Sequence, residues 1–108
     1  MDPNEQMEKL TKYLNAALKE YSSRGRDYAE AYKNYRVAVA KELLELRDAG
    51  MPVTIAYDIA RGNDYVADLK QKEIIAESLY DSCKEAINAY KLQIKILQEQ
   101  INKEYGNG

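Results

Sequence analysis

The sequence predicts an all-α protein in which two long antiparallel helices form a helical hairpin or coiled coil. A short helical corner joins them, and the whole assembles into an oligomeric bundle. Three observations predict this. Apolar residues recur at alternating spacings of three and four along both halves of the chain, which is the period of one helix face. The turn-forming residues Gly50, Pro52 and Gly62 fall together in the central stretch "RDAGMPVTIAYDIARGNDYVADLK". The length of 108 residues, with 45% hydrophobic and 31% charged, suits one small domain covering 1–108.

The first helix is expected over 4–48. Its stripe runs through Met7, Leu10, Leu14, Leu18 (beside Ala17), Tyr21, Gly25, Tyr28, Tyr32, Tyr35, Val39, Leu43 and Leu46. The rhythm passes through Gly25 without a change of phase. One helix is therefore expected, locally weakened at 22–25 because glycine costs about 1 kcal/mol against alanine in a helix. A true break at "SSRG" is the alternative.

The corner spans 49–63. Gly50 provides the left-handed position that ends a helix, and Pro52 prevents continuation. Thr54 is expected to cap a short helix over 55–61, with Val53 and Ile59 pointing back onto the hairpin end. Gly62 then closes that turn. Asn63 or Asp64 opens the second long helix, 64–105, and Gly106 ends it.

Along that helix Val66, Leu69, Glu73 and Ala76 lead into Tyr80, Cys83, Ile87, Tyr90, Ile94, Leu97 and Ile101. The last seven are the candidate core or oligomer seam, and Glu73 alone is off pattern. Further apolar residues lie outside the seams: Ile74, Ile75, Leu79, Ala86 and Ile96 on one helix, Val37, Ala38, Ala40 and Leu44 on the other. A seam with additional apolar positions calls for a second partner surface. A homo-oligomer, at its simplest a dimer with a four-helix core, supplies one.

Composition narrows the chemistry. With no histidine and a single cysteine, Cys83, the sequence carries no Ser-His or Cys-His arrangement and no familiar metal-ligand set. Acidic pairs such as Asp64 with Asp68 and Glu73 with Glu77 alternate with lysines and read as a solvated face. No catalytic residue, metal or cofactor is expected, and the protein is read as a non-enzyme. No apolar run is long enough to cross a membrane, and the acidic N-terminus resembles no signal peptide, so a cytoplasmic location is expected.

Binding surfaces remain. Arg47, Tyr57, Arg61, Asn63 and Tyr65 are placed at one end of the hairpin as a candidate partner-binding tip, since arginine and tyrosine dominate protein-binding hot spots. Arg24, Arg26, Lys33 and Arg36, interleaved with tyrosines, form a candidate nucleic-acid face. The net charge of −2 and the pI near 5.2 weigh against that second role. The ten tyrosines, with no phenylalanine or tryptophan, suit half-buried positions and interfaces.

The stretches "LRDAGMPVTIAYDIARGNDYVADLK" and "AINAYKLQIKILQEQINKEY" resemble small helical proteins encoded by phages and prophages of Gram-positive bacteria. The likeness covers residues 36–105 and rests on "AGMPVT", "ARG" and "YKLQI". In those genomes such proteins sit in early regions, near replication or recombination genes. The resemblance implies a phage accessory role in the host-cell cytoplasm: binding a host or phage protein, with inhibition of a defence system as one form. It implies no reaction. Beside this preferred reading stand an accessory factor for single-stranded DNA or RNA, and a sponge holding a small anionic signalling nucleotide between subunits.

Overall fold

A small number of local rules sets the ends of each helix. The computed structural model describes residues 2–105. It contains α1 (Pro3–Asp48), α2 (Val53–Gly62) and α3 (Asp64–Tyr105), with no strand among the described residues. At the start of α1 the Asp2 carboxylate accepts the Asn4 N–H at 2.8 Å and the Asp2 carbonyl accepts Gln6 N–H at 3.0 Å. Pro3 occupies the first helical position, where its missing N–H leaves nothing unpaired. The helix then continues through Ser22–Gly25 without interruption.

The end of α1 is a Schellman motif. Gly50, at φ +91°, donates to the Arg47 carbonyl at 2.9 Å, and Met51 donates to the Leu46 carbonyl at 3.1 Å. Arg47 closes the turn from outside, its Nη1 donating to the Met51 carbonyl at 2.9 Å. Pro52 follows, and here the expected corner needs correction. The short helix is not 55–61 but Val53–Gly62. Pro52 has φ −59° and ψ 143°, so it offers its own carbonyl to the Ile55 and Ala56 N–H groups, at 3.2 and 2.9 Å. Thr54 lies inside that first turn and caps nothing.

Gly62 does not close α2 by a special backbone. It has no positive φ, it remains helical, and a methyl group there would meet nothing within 4 Å. Asn63 performs the switch. Its N–H donates to the Ala60 carbonyl at 3.3 Å, while its side-chain oxygen accepts Tyr65 and Val66 N–H at 3.0 and 3.2 Å. One residue therefore ends α2 and caps α3, and Asp64 is simply the first helical residue. The Gly106 expected to end α3 lies outside the described residues.

The chain packs as two compact units. One pairs α1 up to Ser23 with α3 from Tyr80 onward; the other comprises Arg24–Leu79. In the first, Ala17, Cys83 and Ile87 form the buried core, flanked by Leu14, Tyr21 and Tyr90. Contacts step in opposite directions along the two helices: Tyr21 meets Tyr80, Ala17 meets Cys83 and Tyr13 meets Tyr90. Tyr80, Cys83, Ile87, Tyr90, Ile94, Leu97 and Ile101 are all buried or half-buried within this one chain. The Cys83 thiol packs in the core and donates to the Ala17 carbonyl at 3.3 Å. Leu18, placed on the stripe by its spacing, is exposed, because Ala17 takes the seam position between Leu14 and Tyr21.

In the second unit, Tyr35, Ala38, Val39 and Val66 form the core, with Leu69 against it. Ala38 thus belongs to the core rather than to an additional face. Tyr32 is exposed, since the seam here passes through Tyr28, Ala31 and Tyr35. Ala56 and Ala60 have no exposed surface at all, and they are the buried edge of α2. Val53 and Ile59 do not turn back onto the hairpin end: both are exposed, as are Ile55 and Tyr57.

Two glycine variants and one cap variant test these local rules by thermal melting. Gly50→Ala should cost about 1 kcal/mol or more, because alanine is strained at positive φ. Gly62→Ala should leave stability unchanged or raise it by up to about 1 kcal/mol. Asn63→Ala should cost about 1 kcal/mol through loss of the α3 cap. Equal effects at Gly50 and Gly62 would contradict the Schellman assignment.

Candidate functional site

The i, i+4 spacings Tyr32-x-x-x-Arg36 and Tyr57-x-x-x-Arg61 carry the same local geometry on α1 and α2. Residues four apart in a helix lie one above the other, so each arginine covers the ring one turn before it. The Arg36 guanidinium lies 5.8 Å from the Tyr32 ring centroid and its Nη1 donates to the Tyr32 hydroxyl at 3.2 Å. The Arg61 guanidinium lies 5.6 Å from the Tyr57 ring centroid. Both pairs line one groove of about 540 Å³ in the Arg24–Leu79 unit.

The rest of the groove comes from three elements. Tyr35, Val39, Ala40 and Leu43 of α1 supply an aromatic and apolar wall, and Lys70 and Glu73 of α3 supply a charged one. Glu73 is 5% exposed and is the buried charged residue of the described chain. Its Oε2 accepts from Lys70 Nζ at 3.1 Å, and the same ammonium lies 4.8 Å from the Tyr35 ring centroid. The charge that breaks the apolar seam is therefore held by an ion pair and a ring. That arrangement lowers the cost of burying a carboxylate.

The balance of charge in this groove is positive. Three cations, Arg36, Arg61 and Lys70, face one carboxylate, Glu73, whereas the whole chain carries −2. Lys70 is already neutralised by Glu73. Arg36 and Arg61 have no carboxylate of the described residues within 4.0 Å and rest on tyrosine rings instead. Guanidinium groups held this way keep free donors for a planar oxyanion.

The expected partner-binding set is only partly brought together. Tyr57 and Arg61 line the groove; Arg47, Asn63 and Tyr65 do not. Arg47 is committed to the Met51 carbonyl and Asn63 to the α3 cap. Tyr65 is 67% exposed, away from the groove lining. Of the expected nucleic-acid face, Arg36 alone reaches the groove. Arg24 and Arg26 are engaged in interactions of their own, and Lys33 is exposed. Lys70 and Glu73 escaped the sequence reading because a charged pair at i, i+3 looks like any solvated face. The signal that was present is the repeated Tyr-x-x-x-Arg spacing, which occurs nowhere else in the chain.

Outside this groove, the other unit holds a pair of tyrosines, one of them with an altered proton affinity. Tyr21 and Tyr80 stack with ring centroids 4.5 Å apart and 13° between planes. A hydrogen bond that the Tyr80 phenol donates to the Tyr21 oxygen, together with partial burial, holds the Tyr80 hydroxyl above the usual tyrosine range. No helix among the described residues is long and apolar enough to cross a membrane. Comparison with protein-family models, curated proteins and solved structures found no match.

The Tyr21–Tyr80 pair gives a prediction with a definite sign. A raised phenol pKa means that the folded chain holds the proton more tightly than the unfolded one. Its contribution to stability is complete below the ordinary tyrosine range and is lost as pH rises through the raised value. In a spectrophotometric titration, Tyr21→Phe should return one late-ionising tyrosine to the ordinary range. The variant should also melt with a weaker dependence on alkaline pH than the parent. An unchanged titration would show that the hydrogen bond is not the cause.

Proposed function

We propose that this chain is a non-enzymatic helical binding protein that self-associates through uncovered apolar faces and engages a protein partner with the outer face of α2. One observation carries the reading. Among the described residues, sixteen large apolar side chains are exposed, while Val66 is the only large one wholly removed from solvent. Exposed apolar side chains in contiguous rows mark interaction sites. Three such rows stand out on the Arg24–Leu79 unit: Val37 with Leu44 on α1, Ile55 with Ile59 on α2, and Ile75 with Leu79 on α3.

The division of labour follows from geometry. The rows on α1 and α3 lie on long helices and suit a second copy of the chain, in the way that bundles bury additional faces. The row on α2 is short and convex, flanked by Val53, and suits a groove on another protein. The resemblance of residues 36–105 to small phage proteins supports an accessory role, with a host or phage protein as the target and interference with a defence system as its effect. The groove lined by Tyr32 and Arg61 has ionic and aromatic groups but no general base, nucleophile or acid poised against another. That favours binding over catalysis.

Light scattering on the purified chain should give at least twice the 12.4 kDa chain mass. Ile75→Asp with Leu79→Asp should reduce that mass to the monomer without loss of helix content. A monomeric parent would overturn the self-association. Ile55→Ala with Ile59→Ala should keep melting temperature and assembly, since exposed substitutions usually change stability by under about 0.5 kcal/mol. The same double variant should lose the protein captured by the parent from host lysate. Full capture by it would overturn the assignment of α2.

A further inference from the structure

The groove that holds both Tyr-x-x-x-Arg pairs is formed by residues of one chain. We infer that it binds a nucleotide, with the phosphate held by Arg36 and Arg61 and the base among the tyrosines near Glu73. Three features point to this class. The two guanidinium groups have no acidic partner among the described residues and are braced by rings at 5.8 and 5.6 Å; Arg36 spends one Nη1 donor on the Tyr32 hydroxyl, and the remaining donors of both groups stay available. Arginine forks match phosphate oxygens in pairs. The groove is about 540 Å³, within the range of small-molecule sites and ample for a mononucleotide.

The exposed rings of Tyr32 and Tyr57, beside Val39, Ala40 and Leu43, give the ligand's other end an aromatic and apolar lining. A nucleobase stacks on such rings at about 1–3 kcal/mol per base. The third feature is Glu73. Among the described residues Lys70 alone donates to it, at Oε2, and no other described group bonds the second carboxylate oxygen in this groove of net positive charge. An acidic peptide would be repelled by a carboxylate there. A base with ring N–H and amino groups is instead a donor to it. The ligand so described is anionic at one end, planar in the middle and a hydrogen-bond donor at its edge. A nucleoside phosphate has all three.

Calorimetric titration of the full-length chain with guanosine and adenosine 5′-monophosphates tests this directly. Orthophosphate and a short oligothymidylate serve as comparison ligands. At least one mononucleotide should bind saturably and at least tenfold more tightly than orthophosphate. Arg36→Ala and Arg61→Ala, both at exposed side chains, should each weaken it about tenfold or more. Glu73→Gln should change the ratio between the two bases. In the unaltered protein, the ring NMR signals of Tyr32 and Tyr57 should shift with the same saturation curve. Absence of binding by both mononucleotides, unchanged affinity in both arginine variants, or shifts confined to other tyrosines would overturn the proposal. Orthophosphate binding as tightly as the nucleotides would overturn it in favour of a simple anion site. Oligothymidylate binding alone would overturn it in favour of single-stranded nucleic acid.

Discussion

Everything at the α2 end of the chain depends on two methyl groups. Ala56 and Ala60, four residues apart and fully buried, are the edge on which α2 seats. Side chains this small let a ten-residue helix lie close against its surroundings, where isolated it would be too short to persist. The consequence for its neighbours is geometric. Residues one position later, Tyr57 and Arg61, fall about 100° around the helix and so flank the buried edge. That is how they come to line the groove. The larger Val53, Ile55 and Ile59 have no room on the seated side and are left outward.

The groove itself is a compromise between stability and specificity. An apolar residue at 73 would continue the seam formed by Val66, Leu69 and Ala76. Glu73 interrupts it, and Lys70 and the Tyr35 ring are recruited to hold the charge. Replacing a buried ion pair with packed hydrocarbon is often neutral or stabilising, so a fold needs no such group for its own sake. The same unit leaves two arginines resting on rings instead of pairing them with the many aspartates nearby in sequence. Asp58 and Asp64 lie three residues to either side of Arg61, and neither forms an ion pair with it.

Much of this architecture was legible in the residue order, for reasons that differ from element to element. The start of α3 at Asp64 follows from the Asn63 side chain and the stop of α1 at Asp48 from the left-handed backbone of Gly50, each acting within a few residues. The continuity of α1 through Gly25 follows from an unbroken apolar phase, which outweighs the local cost of one glycine. The start of α2 was misplaced because a backbone carbonyl, that of Pro52, does what a threonine hydroxyl was expected to do. Leu18 and Tyr32 were misassigned because where two apolar residues compete for one seam position, spacing alone does not choose between them. The groove was the least legible feature. Its residues are drawn from three helices, and only the fold shows that the pairs at 32–36 and 57–61 face one another's space.

The other unit keeps its chemistry inside. Tyr80 stacks on Tyr21, Tyr90 meets Tyr13, and the phenols retain polar atoms where phenylalanine would have had none. Between them sits Cys83, the sole thiol of the sequence, with its proton directed at the Ala17 carbonyl. A sulfhydryl so placed is shielded from oxidants and from its counterpart on another molecule. A disulfide between two copies is therefore out of reach while this core is closed, and the mass of the chain in solution can be measured in the absence of reductant. Alkylating reagents reach that sulfur only when α1 and α3 part at this level, which makes its modification rate a built-in clock for local opening.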